Sequence, residues 1–468
     1  MPDGPSNLPD VYVIDGVAPE INAYAMAKYS RSALSMRESL REMDGQKAEK
    51  FLNTFYFQYG HRSIADLAHL SIAVERLSIL AAIEVADETR WDGQERSTRY
   101  QEFRRSSFIT PPEAAGNAEY TAAIDRLFAS YEQLSPQVAS WLEGEHARPE
   151  AMTVEAYRRT LRARAFDVSR YLLPLATATS LGQIVSARTL EQQISRLLSS
   201  PWGECRQVGA ALKQAASAPG AVPTLVKYTD PSAYREQSRV ALAECAAALL
   251  DGVAPDSTPG VRLVAPRSLE SEIAASLLYP HCHHSYSQIL ATVEALPASR
   301  REEIIALGTR HRGPHDELAR EFQAGAPFQF DILMDIGGFR DLHRHRRCVQ
   351  LHQDFTFRHG YETPEALGAC GGSAVYHDAM QSIGRWAATQ PAAVAAYGLP
   401  LGYYKRSLFK MDWAEAAYIA ELRTGPAGHF SYRAAAWAMF EAMRQRHPSL
   451  AQGLRVTDPR LPSDPFQR

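Results

Sequence analysis

The pattern of apolar and polar residues predicts the same series of elements twice along the chain. In LAHLSIAVE, Leu70, Ile72 and Val74 alternate with smaller or polar residues, which is typical of a strand with one buried face. In FQFDILMD, apolar residues alternate with Gln329 and Asp331 in the same way. A helix-like run follows each strand. The two halves of the chain therefore share one order of elements.

Each half also closes on two consecutive helical patterns. The first pair is VSARTLEQQISRLL followed by WGECRQVGAALKQA, and the second is WAEAAYIAELR followed by FSYRAAAWAMFEAM. A series that recurs in this order indicates duplicated units. The stretch between Asp230 and Gly260 is the predicted join. We therefore predict two domains, residues 1–235 and 236–468, of mixed α/β (α+β) class with a sheet and long helices in each.

The composition indicates an ordinary cytoplasmic globular protein. A chain of 468 residues with 45% hydrophobic residues can bury a large core. The formal net charge of −3 gives no overall attraction to nucleic acid or to an anionic membrane. Five scattered cysteines without a CxxC pair favour reduced thiols. The start, MPDGPSNLPD, is unlike a targeting peptide, and the apolar stretches are too short to span a membrane.

A seven-residue spacer occurs twice, and each time one end of the motif is changed. It reads DET-RWDGQER-STRY from Asp87 to Tyr100 and RHR-RCVQLHQ-DFTF from Arg344 to Phe357. The motif resembles the signature of flavin-dependent thymidylate synthases, which is RHR followed seven residues later by Ser and then xRY. The resemblance covers most of the chain, with its motifs divided between the halves. It implies two fused copies of that fold and FAD as the cofactor.

The resemblance implies that ERSTRYQEF holds the uracil and phosphate of dUMP. The residues concerned are Glu95, Arg96, Ser97, Thr98 and Arg99. Ser97 and Thr98 can donate hydrogen bonds, and the planar fork of Arg99 matches phosphate oxygens. Ser97 is expected to be a positioned donor in catalysis, because nothing nearby in sequence supplies a base to make it a nucleophile.

Two further arginines match family segments in the first half. SAR, ending at Arg188, and ECR, ending at Arg206, are similar to the family's NAR and EIR segments. The resemblance implies that both point at the pyrimidine nucleotide together with Arg99. Arg206 or Arg344 would stabilise negative charge on the ring during catalysis. The alternative is that these arginines are solvated charges on helix surfaces.

The flavin residues implied by the resemblance come from both halves. Arg344, His345 and Arg346 would face the flavin and the substrate, and Ser63 beside His61 matches the family's HxS/T element that contacts FAD. A basic helix end that complements the helix dipole is the alternative for the RHR triplet. A short nucleic-acid patch is a further alternative, which the slightly acidic composition disfavours.

The two copies of the motif have lost complementary parts. Asp87 and Glu88 replace cations of the RHR triplet, and carboxylates there would repel an anionic flavin. Asp354 stands at the serine position of the second copy, where a carboxylate disfavours a phosphate. In the family each site combines RHR from one subunit with the serine loop of another. One composite site is therefore predicted, in a homodimer that forms a pseudo-tetramer.

HCHHS, at residues 281–284 and the serine that follows, holds four potential metal ligands in a row. Adjacent residues rarely all reach one ion, because zinc ligands are normally spaced along the chain. We interpret the run as a polar turn, and the sequence predicts no metal site.

The resemblance implies a reductive methylation as the reaction. A methylene group from methylenetetrahydrofolate would reach C5 of dUMP, reduced FAD would supply hydride, and NADPH would first reduce the FAD to give dTMP overall. Small molecules are thus the expected partners. The alternatives are a flavin-dependent methyltransferase or reductase that acts on another nucleotide-like substrate, and a non-catalytic protein that binds flavin or nucleotide.

Overall fold

A computed structural model of the chain describes residues 14, 16–28, 35–41, 49, 52, 62–105, 107–265, 268–313, 316, 318–461, 464 and 466. It contains two antiparallel sheets with helices packed around them. None of the described helices is both long enough and apolar enough to cross a membrane.

The first half carries a three-stranded sheet. Its strands are β1 (His69–Ser78), β2 (Asp92–Glu95) and β3 (Ala178–Ser186), in the spatial order β1-β3-β2. The α-helices are Pro19–Lys28, Met36–Arg41, Ile79–Ala86, Ala118–Glu145, Val154–Ser169, Ala187–Leu198, Gly203–Ala216 and Pro223–Val226. Short 3₁₀ helices span Arg62–Leu67, Pro112–Ala114 and Arg170–Leu172.

The second half carries a four-stranded sheet. Its strands are β4 (Gly260–Val264), β5 (Phe328–Asp335), β6 (Val349–His352) and β7 (Tyr404–Met411), in the spatial order β4-β5-β7-β6. The α-helices are Ala233–Leu249, Leu269–Leu278, Tyr286–Ala295, Ala298–Leu307, Ile336–Leu342, Glu365–Ala369, Ser373–Ala387, Ala392–Ala395, Trp413–Arg423, Phe430–Arg446 and Pro448–Ala451. Short 3₁₀ helices span Tyr279–His281, Arg320–Phe322 and Ala396–Gly398.

The register of β2 on β3 matches that of β6 on β7 residue for residue. β2 ends at Glu95, which pairs with Leu181, five residues before the N-cap of the helix that follows β3. β6 ends at His352, which pairs with Ser407, also five residues before the N-cap of the helix that follows β7. The structure therefore aligns the two copies of the spacer motif as the sequence did.

The two halves meet through equivalent segments. Pro174, just before β3, forms an antiparallel bridge with Pro400, just before β7. The flanking backbone bonds come in reciprocal pairs: Leu175 N to Leu399 O (2.9 Å) with Leu401 N to Leu173 O (2.9 Å), and Ala176 N to Tyr397 O (2.8 Å) with Gly402 N to Tyr171 O (3.0 Å). Reciprocity of this kind is the property of an isologous interface. Two fused copies of one fold, related by an approximate two-fold axis, account for it.

The strand predictions are confirmed, but one prediction about burial is wrong. In β1, Leu70, Ile72 and Val74 are half-buried and alternate with more exposed residues. All eight residues of β5 are buried, although Asp331 was expected on a polar face. The helical segments around Tyr279 and Tyr286 cover that face, while the strand β4 pairs with the edge of β5. Asp331 instead accepts a hydrogen bond from the Tyr279 hydroxyl at 2.8 Å.

The hydrophobic core is shared between the halves. One continuous cluster of buried residues includes Phe128 of the first half and Phe330 of the second. A second cluster lies among the helices that precede β5 and the inner sides of β6 and β7. The domain boundary predicted at residues 235/236 falls in the first turn of the helix Ala233–Leu249 and stays a prediction.

Candidate active site between the two halves

A cavity of about 600 Å³, called here the larger cavity, lies where the first sheet meets the turn after the helix Ile336–Leu342. Its walls include Trp91 and Glu95 from the first half, and Arg344 and Arg346 from the second. Its volume is typical of small-molecule sites, which span roughly 300–1,000 Å³. Because neither half supplies all of the walls, the cavity exists only when both halves are in place.

Close packing along β2 and β3 positions Trp91 in this cavity. Its indole Nε1 donates a hydrogen bond to Oε1 of Gln183 at 2.6 Å. A Cβ on Gly93 would lie 2.4 Å from the carbonyl oxygen of Gly182 and 2.4 Å from the Trp91 ring. Only glycine therefore allows the indole and the two strands to approach so closely.

Arg344 and Arg346, both predicted to contact flavin and substrate, lie in the wall of the larger cavity. The Arg346 guanidinium lies 4.2 Å from the centroid of the Trp91 ring, and its Nε donates to the Ala86 carbonyl oxygen at 3.2 Å. Nη2 of Arg346 is buried and finds no hydrogen-bond partner among the residues that the structure describes. Arg344 is exposed. The second half thus brings positive charge to a cavity built mostly by the first.

His345 lies on the other side of this turn, outside the wall of the larger cavity, and its predicted contact with the flavin stays a prediction. Its Nε2 accepts a hydrogen bond from Arg423 Nε at 2.7 Å, and its Nδ1 lies 3.4 Å from a Glu415 carboxylate oxygen. Burial lowers the pKa of His345, although Glu415 opposes the shift. A neutral ring with its proton on Nδ1 satisfies both contacts. Successive side chains of a turn point in different directions, and this one points into the second half.

Glu95 is held by the second half. An oxygen of its carboxylate lies 2.9 Å from Nη2 of Arg340, and both side chains are more than nine-tenths buried. Burial alone would raise the pKa of Glu95, but the charges of Arg340 and Arg344 hold it below its usual value. The prediction that Glu95 belongs to a site shared by the halves is consistent with this position.

The Glu95–Arg340 pair should make stability depend on pH. A carboxyl with a lowered pKa contributes stability that is fully present above its unfolded value, about 4.3, and is lost as the pH falls through the folded value. The difference in the free energy of unfolding between the native chain and Glu95→Gln should therefore be constant above about pH 5 and shrink as the pH falls below it. Urea unfolding at several pH values measures it, with the exposed Glu303→Gln as the matched control. A difference that stays constant as the pH falls below about 5 would contradict the pairing.

Two buried arginines that the sequence did not indicate lie around the side chain of Thr98. Its hydroxyl accepts hydrogen bonds from Arg170 Nη1 at 3.3 Å and from Arg340 Nη1 at 3.5 Å. Arg170 is 2% exposed, and among the described residues its Nε and Nη2 have no hydrogen-bond partner, nor does Nε of Arg340. A carboxylate oxygen of Asp341 lies 3.8 Å from Nη2 of Arg170 and balances part of its charge. Buried guanidinium groups with unpaired N–H groups suit an anion. The available sequence signal was only that Arg170 ends a helix and Arg340 lies four residues before Arg344.

Ser97 and Arg96 make local contacts. The Ser97 hydroxyl accepts a hydrogen bond from the backbone N–H of Arg99 at 3.1 Å. Nε of Arg96 donates to Gln101 at 2.6 Å, and its guanidinium lies 4.6 Å from the Phe103 ring centroid. Neither side chain is in the wall of the larger cavity. Their predicted roles in substrate binding stay predictions.

Arg99, Arg188 and Arg206 each pair with a different carboxylate, and their predicted convergence on a nucleotide stays a prediction. None of the three is in the wall of the larger cavity. The pairs are Arg99 with Asp167 (2.6 and 2.9 Å), Arg188 with Asp66 (3.2 Å) and Arg206 with Glu113 (3.4 Å). Arg188 also contributes to a separate cavity of about 420 Å³. Each arginine is held by a carboxylate that is distant in sequence, and the short motifs contain no information about these carboxylates.

The predicted FAD-contacting element precedes β1. His61 lies outside the described residues, and Ser63 is exposed at the start of the 3₁₀ helix Arg62–Leu67. Two residues just beyond it, Asp66 and His69, contribute to the wall of the larger cavity. This segment therefore borders the cavity, while the contacts predicted for Ser63 and His61 stay predictions.

The acids of the first motif copy are neutralised by arginines. Asp87 pairs with Arg320 at 2.7 Å, and Glu88 pairs with Arg196 at 2.9 Å. Because each carboxylate is paired with an arginine, the two acids do not by themselves repel an anionic flavin from this copy. Asp354 of the second copy is exposed.

Comparison with known proteins agrees with this architecture. The sequence profile of the thymidylate synthase complementing protein family matches residues 13–219 and 315–449. A UPF0159 protein of Chlamydia muridarum is 29% identical, over 97% of this chain and 91% of that protein. A UPF0159 protein of Thermoplasma acidophilum is 26% identical, over 92% of this chain and 94% of that protein. The flavin-dependent thymidylate synthase ThyX from Helicobacter pylori, complexed with FAD and dUMP, aligns with 46% of this chain and 96% of its own at 16% identity and a TM-score of 0.32.

Proposed function

Because the chain belongs to the thymidylate synthase complementing protein family, we propose that it is an FAD-dependent enzyme that converts dUMP to dTMP by reductive methylation. Methylenetetrahydrofolate would donate the carbon, and NADPH would supply the electrons. The observation that carries the proposal is the larger cavity, which joins Glu95 of one motif copy to Arg344 and Arg346 of the other. One composite site would therefore serve the whole chain.

The residues of the larger cavity fit a flavin nucleotide. Arg344, Arg346 and Arg347 supply positive charge for a diphosphate, and the buried Nη2 of Arg346 needs an acceptor. Trp91 and Ile184 add an aromatic and an aliphatic surface to the same cavity. When bound there, FAD would supply the hydride transfer, and these side chains would hold and orient it.

We assign the nucleotide phosphate to the arginines around Thr98. Arg170 and Arg340 are buried, hydrogen-bond the same hydroxyl and keep unpaired N–H groups. A phosphate would satisfy those donors. Arg99, in contrast, is already engaged on two nitrogens by the carboxylate of Asp167.

Activation of the pyrimidine falls to Arg344 in this proposal. C5 of the pyrimidine attacks the methylene carbon more readily when the negative charge that develops on the pyrimidine ring is stabilised. A nearby guanidinium stabilises that charge electrostatically. Arg344 belongs to the larger cavity, whereas Arg206 is about half-exposed and paired with Glu113. Of the two arginines that the sequence suggested, Arg344 therefore has the position for this role.

Arg170→Gln should weaken dUMP binding by about 10–100-fold, because a charge-assisted hydrogen bond contributes about 1.5–3 kcal/mol. FAD affinity should change little, since Arg170 is not in the wall of the larger cavity. Calorimetric titration of each ligand measures both values. The matched control is Arg162→Gln, an exposed position on the preceding helix. Equal loss of FAD and dUMP binding would argue for general disruption and against a phosphate site.

The direct test of the proposed function combines a spectrum with an assay. The purified chain should show flavin absorbance after incubation with FAD. It should form dTMP only when dUMP, methylenetetrahydrofolate and NADPH are all present. Flavin binding without dTMP formation would reject the thymidylate assignment.

One observation favours a second candidate function. The bidentate Arg99–Asp167 pair leaves the motif arginine unavailable unless Asp167 is displaced. A flavin-dependent methyltransferase or reductase whose nucleotide-like substrate does not use Arg99 would fit this pairing. Turnover of another pyrimidine nucleotide, with dUMP inert, would support that alternative.

A further inference from the structure

Three potential metal ligands meet at the boundary between the halves, outside the larger cavity. Asp87 belongs to the first half, and His343 and His352 belong to the second. One carboxylate oxygen and one ring nitrogen from each histidine all lie within 4.8 Å of one another. The Asp87 Oδ1 to His352 Nε2 distance is 3.7 Å, and the two imidazole centroids are 5.0 Å apart. We call these three residues the Asp87 cluster.

Each imidazole is fixed by one nitrogen and has the other unpaired. Nδ1 of His343 contacts Oε1 of Gln350 at 2.9 Å, and Nδ1 of His352 contacts the Ser407 hydroxyl at 3.1 Å. Nε2 of both rings is buried and has no hydrogen-bond partner within the described part of the chain. Metal-binding histidines have this arrangement, in which a polar group on the second nitrogen orients the ring. The unpaired Nε2 atoms are an independent observation that points to a ligand.

The charge state of the cluster suits coordination. Burial lowers the pKa of His343 and of His352, so both rings are neutral near pH 7 and offer a lone pair. Asp87 remains ionised, because Arg320 and neighbouring cations hold its pKa low against the effect of burial. The Arg320 contact does not exhaust the carboxylate, which offers about four lone-pair directions.

The neighbouring charges act in both directions. Arg320 lies 2.7 Å from Asp87, and the buried Lys405 is also near, which opposes a cation. Glu84 and Asp354 act on Lys405 with the opposite sign. The net surroundings are therefore mixed, and ligand geometry decides whether an ion binds.

The Asp87 cluster lies at the motif positions that correspond to those of the composite site in the other copy. Asp87 stands where the other motif copy has Arg344, and His352 stands where the other copy has Glu95. Glu95 of the first copy and Arg344 of the second both line the larger cavity. The residues at the corresponding positions, His352 of the second copy and Asp87 of the first, meet in the Asp87 cluster. The cluster therefore holds potential metal ligands at the positions where the larger cavity has Glu95 and Arg344.

We propose that Asp87, His343 and His352 together bind one divalent transition-metal ion of the Zn²⁺ type, which ties the first half to the second. Two imidazoles and one carboxylate are a common ligand set for such ions, with bonds of about 2.0–2.2 Å and a fourth position left for water. Small side-chain movements close the three atoms around the ion. This site is separate from the proposed reaction, and its test needs neither FAD nor dUMP.

Cobalt(II) is the probe, because it replaces Zn²⁺ and absorbs visible light. The full chain, first treated with a chelator, should bind one Co²⁺ with visible ligand-field bands, and Zn²⁺ should remove them. His352→Gln should weaken Co²⁺ binding at least tenfold. The matched control is His283→Gln in the HCHHS turn, which should bind Co²⁺ like the native chain.

Three results would overturn the proposal. They are the absence of ligand-field bands in the native chain, a sulfur-to-cobalt charge-transfer band that indicates a cysteine ligand such as Cys282, and unchanged Co²⁺ affinity in His352→Gln. If His352→Gln does not fold, the stoichiometry and the spectrum of the native chain decide alone.

Discussion

Arg344→Ala is expected to lower kcat for dTMP formation by about 10²–10³-fold, the loss typical when one group that stabilises developing charge is removed. Arg344 is exposed in the wall of the larger cavity, so its loss should leave the fold intact. Steady-state assays with saturating dUMP and methylenetetrahydrofolate measure the effect.

The matched control for Arg344→Ala is Arg310→Ala, because Arg310 is exposed in the same half but is not a cavity residue. Its kcat should stay within about twofold of the native value, as expected for a distant surface substitution. Near-native kcat in Arg344→Ala, with flavin bound, would contradict the role of Arg344 in catalysis.

Asp331→Ala is expected to lower the free energy of unfolding by about 3–5 kcal/mol, because it leaves a buried arginine without its counter-charge. The Asp331 carboxylate accepts from Arg406 at 2.9 Å, from the Tyr279 hydroxyl at 2.8 Å and from the Tyr286 backbone at 2.9 Å. Arg406 and Asp331 are almost completely buried. Urea unfolding, followed by circular dichroism, measures the loss.

Glu303→Ala is the matched control for Asp331→Ala, because it breaks an ion pair with Arg300 in which both partners are more than half exposed. It should change the free energy of unfolding by at most about 1 kcal/mol. Equal effects of the two substitutions would contradict the view that β5 is buried on both faces.

Local patterns predicted the elements of the fold but not what covers them. The alternation of Leu70, Ile72 and Val74 predicted β1, and a similar pattern predicted β5. The burial of Asp331 depends on β4 and on helices more than 35 residues away in sequence. A polar residue in a strand is compatible with either solvent or a buried partner, and only tertiary contacts distinguish the two.

The candidate site was predictable where motif spacing determines position. Glu95 ends β2 in the first copy of the motif, and Arg344 and Arg346 follow the helix Ile336–Leu342 in the second. These opposite ends of the spacer meet in the larger cavity because the two copies are related by an approximate two-fold axis. His345 differs because adjacent residues of a turn point apart. The partners of Arg99 and the participation of Arg170 depend on contacts between segments about 70 residues apart, which no local pattern encodes.

The reciprocal contacts between the halves explain how the two motif copies could diverge. Glu95 and Arg344 lie together in the larger cavity, and their counterparts His352 and Asp87 lie together in the Asp87 cluster. Under our proposals, the first pair belongs to the composite site and the second pair to the metal site. If each half supplies only one part of a shared site, the first copy can lose the RHR triplet and the second can lose the serine position.

Complementation between two variants tests the central claim, that one chain holds a complete composite site. Each variant changes one wall residue of the larger cavity and is expected to impair the site to which that residue belongs. Glu95→Gln and Arg344→Ala, carrying different tags, are co-expressed and purified together, and the solution mass establishes whether the chains pair as a homodimer. The structure predicts that dTMP formation by the mixture stays at the level of the single variants, because each chain damages its own site. If sites formed between chains instead, mixed dimers would contain one intact site and restore about a quarter of native activity. Recovery of that size would contradict the account.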